Sequence, residues 1–563
     1  MHATTGFATL ITLFCLLCHV SYLEHFGLTF RIAHLFSLQT SGFLEKGTVI
    51  LFQSWRTYVL ISVPLTSAII LLNLKPSLFA SMQKHPLVLL VAAAILNSIN
   101  INTRYLPLVH KELRYNFFTA LYFNIKEYHD IAIKPLPSKE QLLKIRELFP
   151  NRQWSQDSNY EKYPLWQKTI SAPADNDTAK KSQSIKIKEQ LRNFLQKKEH
   201  LGEHWNIVIV FLASGSSSDI GFLSENKDED LMPNMSKIMQ TGINFTETIA
   251  SGTQTRQGQI AAMCSLYSIP GFPLMITSPA LNSICLPDVY HTSGYSTFFL
   301  HAADNQFDNQ LAFYKHHNTT KIIGKPDYPK NTSKGGWGYS DHALFNKTLS
   351  TLQGVDKPFF ATVLTLTNHP PLTLPSDAPE EIKELKTARQ RIIRYVDWAF
   401  ADFYNKILKM HPNTLIILTS DQGLPIYKGP IQDGLSNSDY TTVKMTHHIP
   451  FSIFNNRLPP NLQGVKLNQL VSNTDIPPTL LSLFGKDSIS QQFMGMDAFS
   501  RKNEPIYTIW FENFLRIQTG ADQFTVSKVR STQVENIATL GHYNHYAPVT
   551  DMMGHEAKAE LSR

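Results

Sequence analysis

The residues with most chemical potential sit where apolar runs stop. Residues 414–423 read TLIILTSDQG, an apolar run that ends at Asp421, Gln422 and Gly423. A carboxylate just past the C-terminal end of a buried strand is where α/β enzymes place metal ligands and catalytic groups. Residues 250–263, ASGTQTRQGQIAAM, give a turn at Gly252 and a helix that begins near Thr255. A threonine there has two readings. Its hydroxyl can cap the helix. It can also act as a metal-activated nucleophile among backbone N–H groups that favour an anion. Thr253 is a weaker alternative, because Thr255 has the better spacing to Gly258. Further along, GGWGYSD (335–341) puts Trp337 on a glycine-rich loop, TLTNHPP (365–371) puts His369 just past a strand, and THHIPFSIF (446–454) puts His448 just before one. Singly, each is more often a packing residue. Their common placement beside strands or turns makes a pattern.

The elements that must position them follow from hydrophobic periodicity. Asn206–Leu212, NIVIVFL, is a continuous β-rich run, as expected of a strand buried on both faces. Similar runs occur at Thr297–Leu300, Phe359–Leu366, Leu415–Leu418 and Phe451–Phe454, and helical patterns alternate with them. The longest of these predicts one helix over Ile382–Met410. Alternation of this kind argues an α/β domain with a largely parallel sheet, three-layered, with Asn206–Leu212 and Leu415–Leu418 central and adjacent or nearly so. The functional groups should then gather at the C-terminal strand ends.

The stretches NIVIVFLASGSSSDIG, SGTQTRQGQ, HAADNQFDN, GGWGYSDHALF, TLTNHPP, RYVDWAFADF, LIILTSDQG and HHIPFSIF together resemble the lipoteichoic acid synthase and phosphoglycerol transferase group of the alkaline phosphatase/sulfatase superfamily, from about residue 103 to 530. The resemblance implies an α/β domain that holds Mn²⁺, Mg²⁺ or Zn²⁺. It places the family's nucleophilic Thr on Thr255, its metal-binding Asp on Asp421, its substrate-binding His and Trp on His369 and Trp337, and a further His near the phosphate on His448. Two positions depart from the family pattern. Glu after the first strand is Ala213 here, and His after the later Asp is Gln422. Alanine supplies no ligand atom, and an amide oxygen is a poor substitute for imidazole. Asp219, six residues after Ala213, is the carboxylate that could swing in. Two functions follow. One is a membrane-anchored transferase or hydrolase acting on phospho- or sulfo-esters of envelope lipids or glycans. The other is a pseudoenzyme of the same fold that binds an anionic envelope ligand or a partner.

Composition fits a globular domain joined to membrane segments: 563 residues, 43% hydrophobic, 17% charged, net charge +7. No dense basic stripe interleaved with aromatics is present, which argues against nucleic acid as a partner. Gly6–Leu23, Thr57–Leu74 and Pro86–Ile101 are apolar runs close to spanning length. A cleavable signal peptide is the competing reading of the first, and a further weak span within 26–44 would change the parity. Cys15 and Cys18 lie inside the first run, whereas Cys264 and Cys285 lie in the later domain and could pair outside the cytoplasm. The expected organisation is an anchor over 1–102, a juxtamembrane connector over 103–200, an outer domain over 201–530 and a tail over 531–563. The loop between the second and third runs carries Lys75 and Lys84 and no acid, which assigns it to the cytoplasm and the large domain to the outer face of a bacterial-type inner membrane. Phosphatase reporter fusions placed after residue 200 should therefore be active, and fluorescent-protein fusions at the same point dark; the reverse result would refute this topology.

Overall fold

In the computed structural model the described residues are 183–196, 204–224, 230–267, 274–277, 283–369, 372–423, 447–490, 493–500, 506–510, 514–518 and 524–528, with Glu140 and Leu143. All fall in one compact unit, residues 134–425 and 440–563. The three apolar N-terminal runs lie outside the described residues. No helix among the described residues is long and apolar enough to cross a membrane.

The strands are β1 (Asn206–Phe211), β2 (Gly242–Ile249), β3 (Ser296–His301), β4 (Lys321–Ile323), β5 (Phe359–Leu364), β6 (Thr414–Thr419), β7 (Phe451–Phe454) and β8 (Val465–Ser472). They form one eight-stranded sheet in the order β4-β3-β5-β1-β6-β7-β2-β8. Ladders are parallel except those that β7 makes with β6 and β2. β1 and β6 are adjacent, as their unbroken apolar character implies. A separate antiparallel sheet joins β9 (Ile506–Trp510), β10 (Phe514–Gln518) and β11 (Phe524–Lys528).

The principal helices are α1 (Gln183–Leu195), α2 (Pro233–Met239), α3 (Thr255–Cys264), α4 (Leu286–Thr292), α5 (Gln310–His316), α6 (Asp341–Leu352), α7 (Ala388–Met410) and α8 (Ile476–Leu483). Because side chains alternate across a strand, each strand feeds two cores. Val208, Val210, Phe298, Leu300, Ala361 and Val363 join a cluster with Met235 of α2, Leu344 of α6 and Phe400 of α7. The intervening residues face the other layer. There Phe299 stacks on Tyr314 of α5, Phe360 on Tyr290 of α4, and Thr362 meets Met263 of α3. The result is the expected three-layer α/β arrangement.

Two details differ from the periodic reading. The expected helix over 382–410 is broken into a single turn, Glu380–Lys383, and α7. Thr387 stops it: its hydroxyl accepts the Gln390 N–H while Gln390 returns its amide oxygen to the Thr387 N–H, a reciprocal cap that fixes a helix start. In the expected connector, Gln183–Leu195 is helical and packs on the domain through Ile187, Leu191 and Leu195, with Phe194 against Trp205 and a Lys188–Asp497 ion pair.

One close approach fixes the depth at which α3 lies against the sheet. A Cβ on Gly258 would stand 2.0 Å from the Asp421 carbonyl oxygen, so only glycine lets this turn of α3 touch the chain leaving β6. Gly258→Ala should cost about 3 kcal/mol in urea unfolding. Gly335→Ala, where the nearest atom is 3.9 Å away, should cost under about 1 kcal/mol. Equal costs would show that α3 can back away from the sheet.

Candidate functional site

The register sets Phe211, His301, Leu364 and Thr419 level with one another at the C-terminal ends of four neighbouring parallel strands. β2 runs in the same direction, so the chain leaving Ile249 toward Thr255 emerges at this edge. β7 runs the opposite way, so His448, which precedes it, also falls here. One sheet edge thereby gathers segments that are distant in sequence.

Asp421 is at its centre, fully buried. Its Oδ1 accepts the N–H groups of Ser214 and Gln422, each at 2.9 Å, and the Ser420 hydroxyl at 3.3 Å. Burial pushes the Asp421 carboxyl pKa up, opposed by hydrogen bonding from Thr255, Ser214, Gln422 and Ser420. The Thr255 hydroxyl is thus close enough to favour the charged form, yet Oδ2 has no hydrogen bond of ordinary geometry. Thr255 is the first residue of α3. Gln254 holds the cap position without a side-chain bond, so the capping reading of Thr255 does not apply. Thr253 gives its backbone N–H to the Gln257 amide oxygen.

Ser214 follows Ala213 with a positive φ of 54°, a left-handed conformation that costs a non-glycine residue about 1–2 kcal/mol. The bond from its N–H to Asp421 holds that turn. The Ala213 N–H goes to the Thr365 hydroxyl at 2.9 Å, and the Ser214 carbonyl accepts the Asn368 amide at 3.1 Å. The His369 loop is therefore fastened to the segment after β1. His369 and Trp337 meet edge to face with ring centroids 4.5 Å apart, and Phe307 meets Trp337 at 5.6 Å. The Trp337 loop is held by Gly335 N–H to the Gly338 carbonyl and Tyr339 N–H to the Ala302 carbonyl. His448 sits at the same edge. Its Nε2 contacts the Thr246 carbonyl, and its own carbonyl accepts the Ser217 N–H.

Two groups here escaped the motif reading. His301 ends β3, buried, with Nδ1 at 2.8 Å from the Leu364 carbonyl. Burial, against the pull of that bond and of Asp304, lowers its pKa to about 4. The ring is therefore neutral near pH 7, Nδ1–H donates, and Nε2 is an acceptor. Asp341 is buried beneath the Trp337 and His369 loops. Burial raises its carboxyl to about 6, although the Leu366 and Thr367 N–H groups pull it down. A histidine closing a strand and an acid opening a helix were the available signals, and neither spacing singles out a site.

A divalent ion at Asp421 would find Oδ2 and the Thr255 hydroxyl. Ala213 has no donor side chain. The Gln422 Nε2 is directed to the Ser214 hydroxyl at 3.4 Å. Asp219 is engaged by the Arg389 guanidinium, so it does not supply the missing carboxylate. One carboxylate oxygen and one alcohol are too few for firm binding of Mn²⁺, Mg²⁺ or Zn²⁺, and this donor set does not fit such an ion. Among the described residues, the group of three or more His, Cys, Asp or Glu with metal-ligand spacing lies elsewhere, at Cys264, Cys285 and His317, where the two cysteines form a disulfide.

Comparison with known proteins bears on the same region. Lipoteichoic acid synthase 1 of Bacillus subtilis (strain 168) is 25% identical over 328 residues, 55% of this chain and 50% of that protein. Lipoteichoic acid synthase of Staphylococcus aureus (strain USA300) is 24% identical over 406 residues, 70% of this chain and 56% of that one. The chain thus spans about half the length of the curated relatives it matches. Among solved structures, a protein of the alkaline phosphatase superfamily from Vibrio parahaemolyticus is similar at 22% identity and a TM-score of 0.49, over 66% of this chain and 98% of that one. The sulfatase family matches residues 205–486, half of the chain and the whole of the eight-stranded sheet with the edge that carries Thr255, Asp421, His369 and His448. By that match the chain belongs to the sulfatase family.

Proposed function

We propose that this chain binds the phospho- or sulfo-ester head group of an envelope lipid or glycan at the edge around Thr255 and Asp421, and turns it over slowly if at all. The observation that carries this is the donor set. Ala213 and Gln422 stand where the family resemblance implies a carboxylate and an imidazole, and Asp219 is committed to Arg389. A threonine without a firmly held ion stays a neutral alcohol, a poor nucleophile. The rest of the edge remains suited to an ester. The first turn of α3 offers the positive end of a helix dipole, His369 and Trp337 form a paired aromatic wall, and family membership supports phosphoester or sulfate-ester recognition. The relatives named lipoteichoic acid synthases support an anionic envelope ligand.

A second reading, transfer or hydrolysis with Thr255 as nucleophile, is favoured by membership of the sulfatase family and by the buried Oδ2 of Asp421, which has no hydrogen bond of ordinary geometry, as expected of an atom kept for an ion. For location, the Cys264–Cys285 disulfide supports an oxidising compartment, consistent with a domain outside the cytoplasmic membrane and an N-terminal anchor.

The two readings separate on metal content and turnover. The purified full chain should retain little Mn or Zn after dialysis and should show no chelator-sensitive cleavage of bis(p-nitrophenyl) phosphate. The pair Ala213→Glu and Gln422→His rebuilds a Glu/Thr/Asp/His set, which suits Mn²⁺ or Zn²⁺. It should raise metal affinity by more than about tenfold, each single variant falling between, in keeping with the loss seen when one supporting group of a metal site is removed. Any activity it gains should disappear on Thr255→Ala. Stoichiometric metal in the parent, with turnover that needs Thr255, would overturn the binding reading in favour of the enzyme.

A further inference from the structure

Away from the sheet edge, α3 ends in a second arrangement of reactive groups. Thr255 opens this helix, and Cys264 closes it in a disulfide with Cys285, the residue before α4. His317, just after α5, places Nε2 3.6 Å from Cys285 Sγ. Its Nδ1 lies 2.8 Å from Asp288 Oδ2. Asp288 is itself fixed: Oδ2 also accepts the Cys285 N–H at 2.9 Å, and Oδ1 accepts the Asn318 amide at 2.8 Å. A carboxylate at Nδ1 holds the ring proton there and leaves the Nε2 lone pair to face the sulfur. A disulfide sulfur carries no hydrogen to offer that lone pair. A thiol at Cys285 would, and the order carboxylate, imidazole, thiol is the one that activates a cysteine nucleophile.

These three groups lie in one contiguous stretch. Residues 285–318 contain α4, β3 and α5, and the Thr297 hydroxyl of β3 donates to the Asn318 carbonyl at 2.6 Å, which fixes the end of α5. Contacts close in sequence cost less loop-closure entropy and form more readily. The relay needs no distant segment, whereas Cys264 arrives with α3, whose depth is set by Gly258 against the chain leaving β6. Once α3 is docked, Cys264, Cys285 and His317 are at most 2% exposed, so the exchange must take place while α3 is still arriving. We infer that His317, positioned by Asp288, is the general base for closure of this chain's own disulfide. An external disulfide first exchanges with the Cys264 thiolate, leaving a mixed disulfide on Cys264 and releasing one thiol. As α3 docks, the Cys285 thiol gives its proton to His317 Nε2 and the thiolate attacks Cys264 Sγ. The Cys264–Cys285 bond forms, the mixed disulfide breaks, and the second external thiolate leaves with the electron pair of that bond. The two cysteines are oxidised and the external disulfide is reduced to two thiols. Closure fixes the end of α3 opposite Thr255, which couples the setting of that helix to an oxidising compartment.

The test follows closure itself. The detergent-solubilised full chain is reduced in urea and diluted into glutathione disulfide at about pH 6 to 8.5, the range over which a thiol begins to ionise. Acid quenching, digestion and mass spectrometry follow the species with glutathione on Cys264 as it becomes the Cys264–Cys285 crosslink. An ordinary thiol is roughly 3% thiolate at pH 7. A base that raises this fraction gains rate, partly offset by the weaker nucleophilicity of a more stable thiolate, so His317→Gln should close about fivefold more slowly than the parent at neutral pH. Asp288→Asn keeps an oxygen for the Cys285 N–H but no charge to hold the imidazolium, and should fall between. The pH profile separates a base from a packing residue. His317→Gln should accelerate close to about tenfold per pH unit below about pH 8, as the thiolate fraction of an unassisted thiol does, whereas the parent should change less than about threefold over the same span above pH ~6.5. Equal rates with the same profile would overturn the inference. Variants that are slower but keep the parent's profile, or that fail to close at any pH, would assign the ring to packing and overturn it as well.

Discussion

The bond from the Ser214 N–H to Asp421 Oδ1 is the constraint on which the edge of the sheet depends. It joins the segments leaving the two central strands and holds Ser214 in a left-handed turn. From that turn, the Ser214 carbonyl engages Asn368 and the Ala213 N–H engages Thr365, which sets the loop carrying His369. On the opposite side the Asp421 backbone is the surface against which Gly258 brings α3 and Thr255. A buried hydrogen bond contributes about 0.5–1.5 kcal/mol, comparable with the cost of one non-glycine residue in the left-handed region. Asp421 therefore has a positioning task that requires no metal ion.

That double role explains the electrostatics of the site. In a protein that holds an ion, the charge of the ion compensates a buried carboxylate. Here Oδ1 is satisfied by N–H and hydroxyl donors while Oδ2 is not, and burial raises the pKa. An edge with Asp421 held against the cost of burial, a neutral His301 and the amino end of α3 is in keeping with the binding reading proposed above.

Much of the scaffold was legible because its signal is local. NIVIVF and TLIILT are buried on both faces and carry polar residues only at their ends, and FFATVL carries only the β-favouring Thr362, so β1, β6 and β5 stand out. β2 did not. Asn244, Thr246, Glu247 and Thr248 interrupt its apolar pattern, and Asn244 is tolerated inside only because its amide reaches the carbonyls of Met239, Gly242 and Val465. Of these partners Val465 lies 221 residues away and leaves no trace in a sequence window. The same limit governs the site. Asp421 was visible at the end of an apolar run, and Thr255 at the start of a helix after the turn at Gly252. The commitment of Asp219 to Arg389, 170 residues away, and the Asp341 support beneath the His369 loop depend on tertiary contacts.

Asp377 shows how far that support extends. Burial opposes its charge, yet hydrogen bonds from His342, Ser333, Tyr395 and Ser340 together hold its carboxyl down to about 2. Ser333 and Ser340 flank the Trp337 loop, and Tyr395 belongs to α7. One ionised side chain therefore ties the stem of the aromatic loop to the longest helix, while neutral His301 and the high-pKa Asp341 lie deeper toward the sheet. Charge is favoured at the half-exposed stem, where water helps to solvate it, and opposed where burial is complete. In the head-group reading proposed above, the interior of the edge presents hydroxyls and aromatic faces to the ligand. Such a lining discriminates by hydrogen-bond geometry more than by charge, because a buried donor or acceptor left unmatched by the wrong ligand carries a penalty that net attraction does not remove.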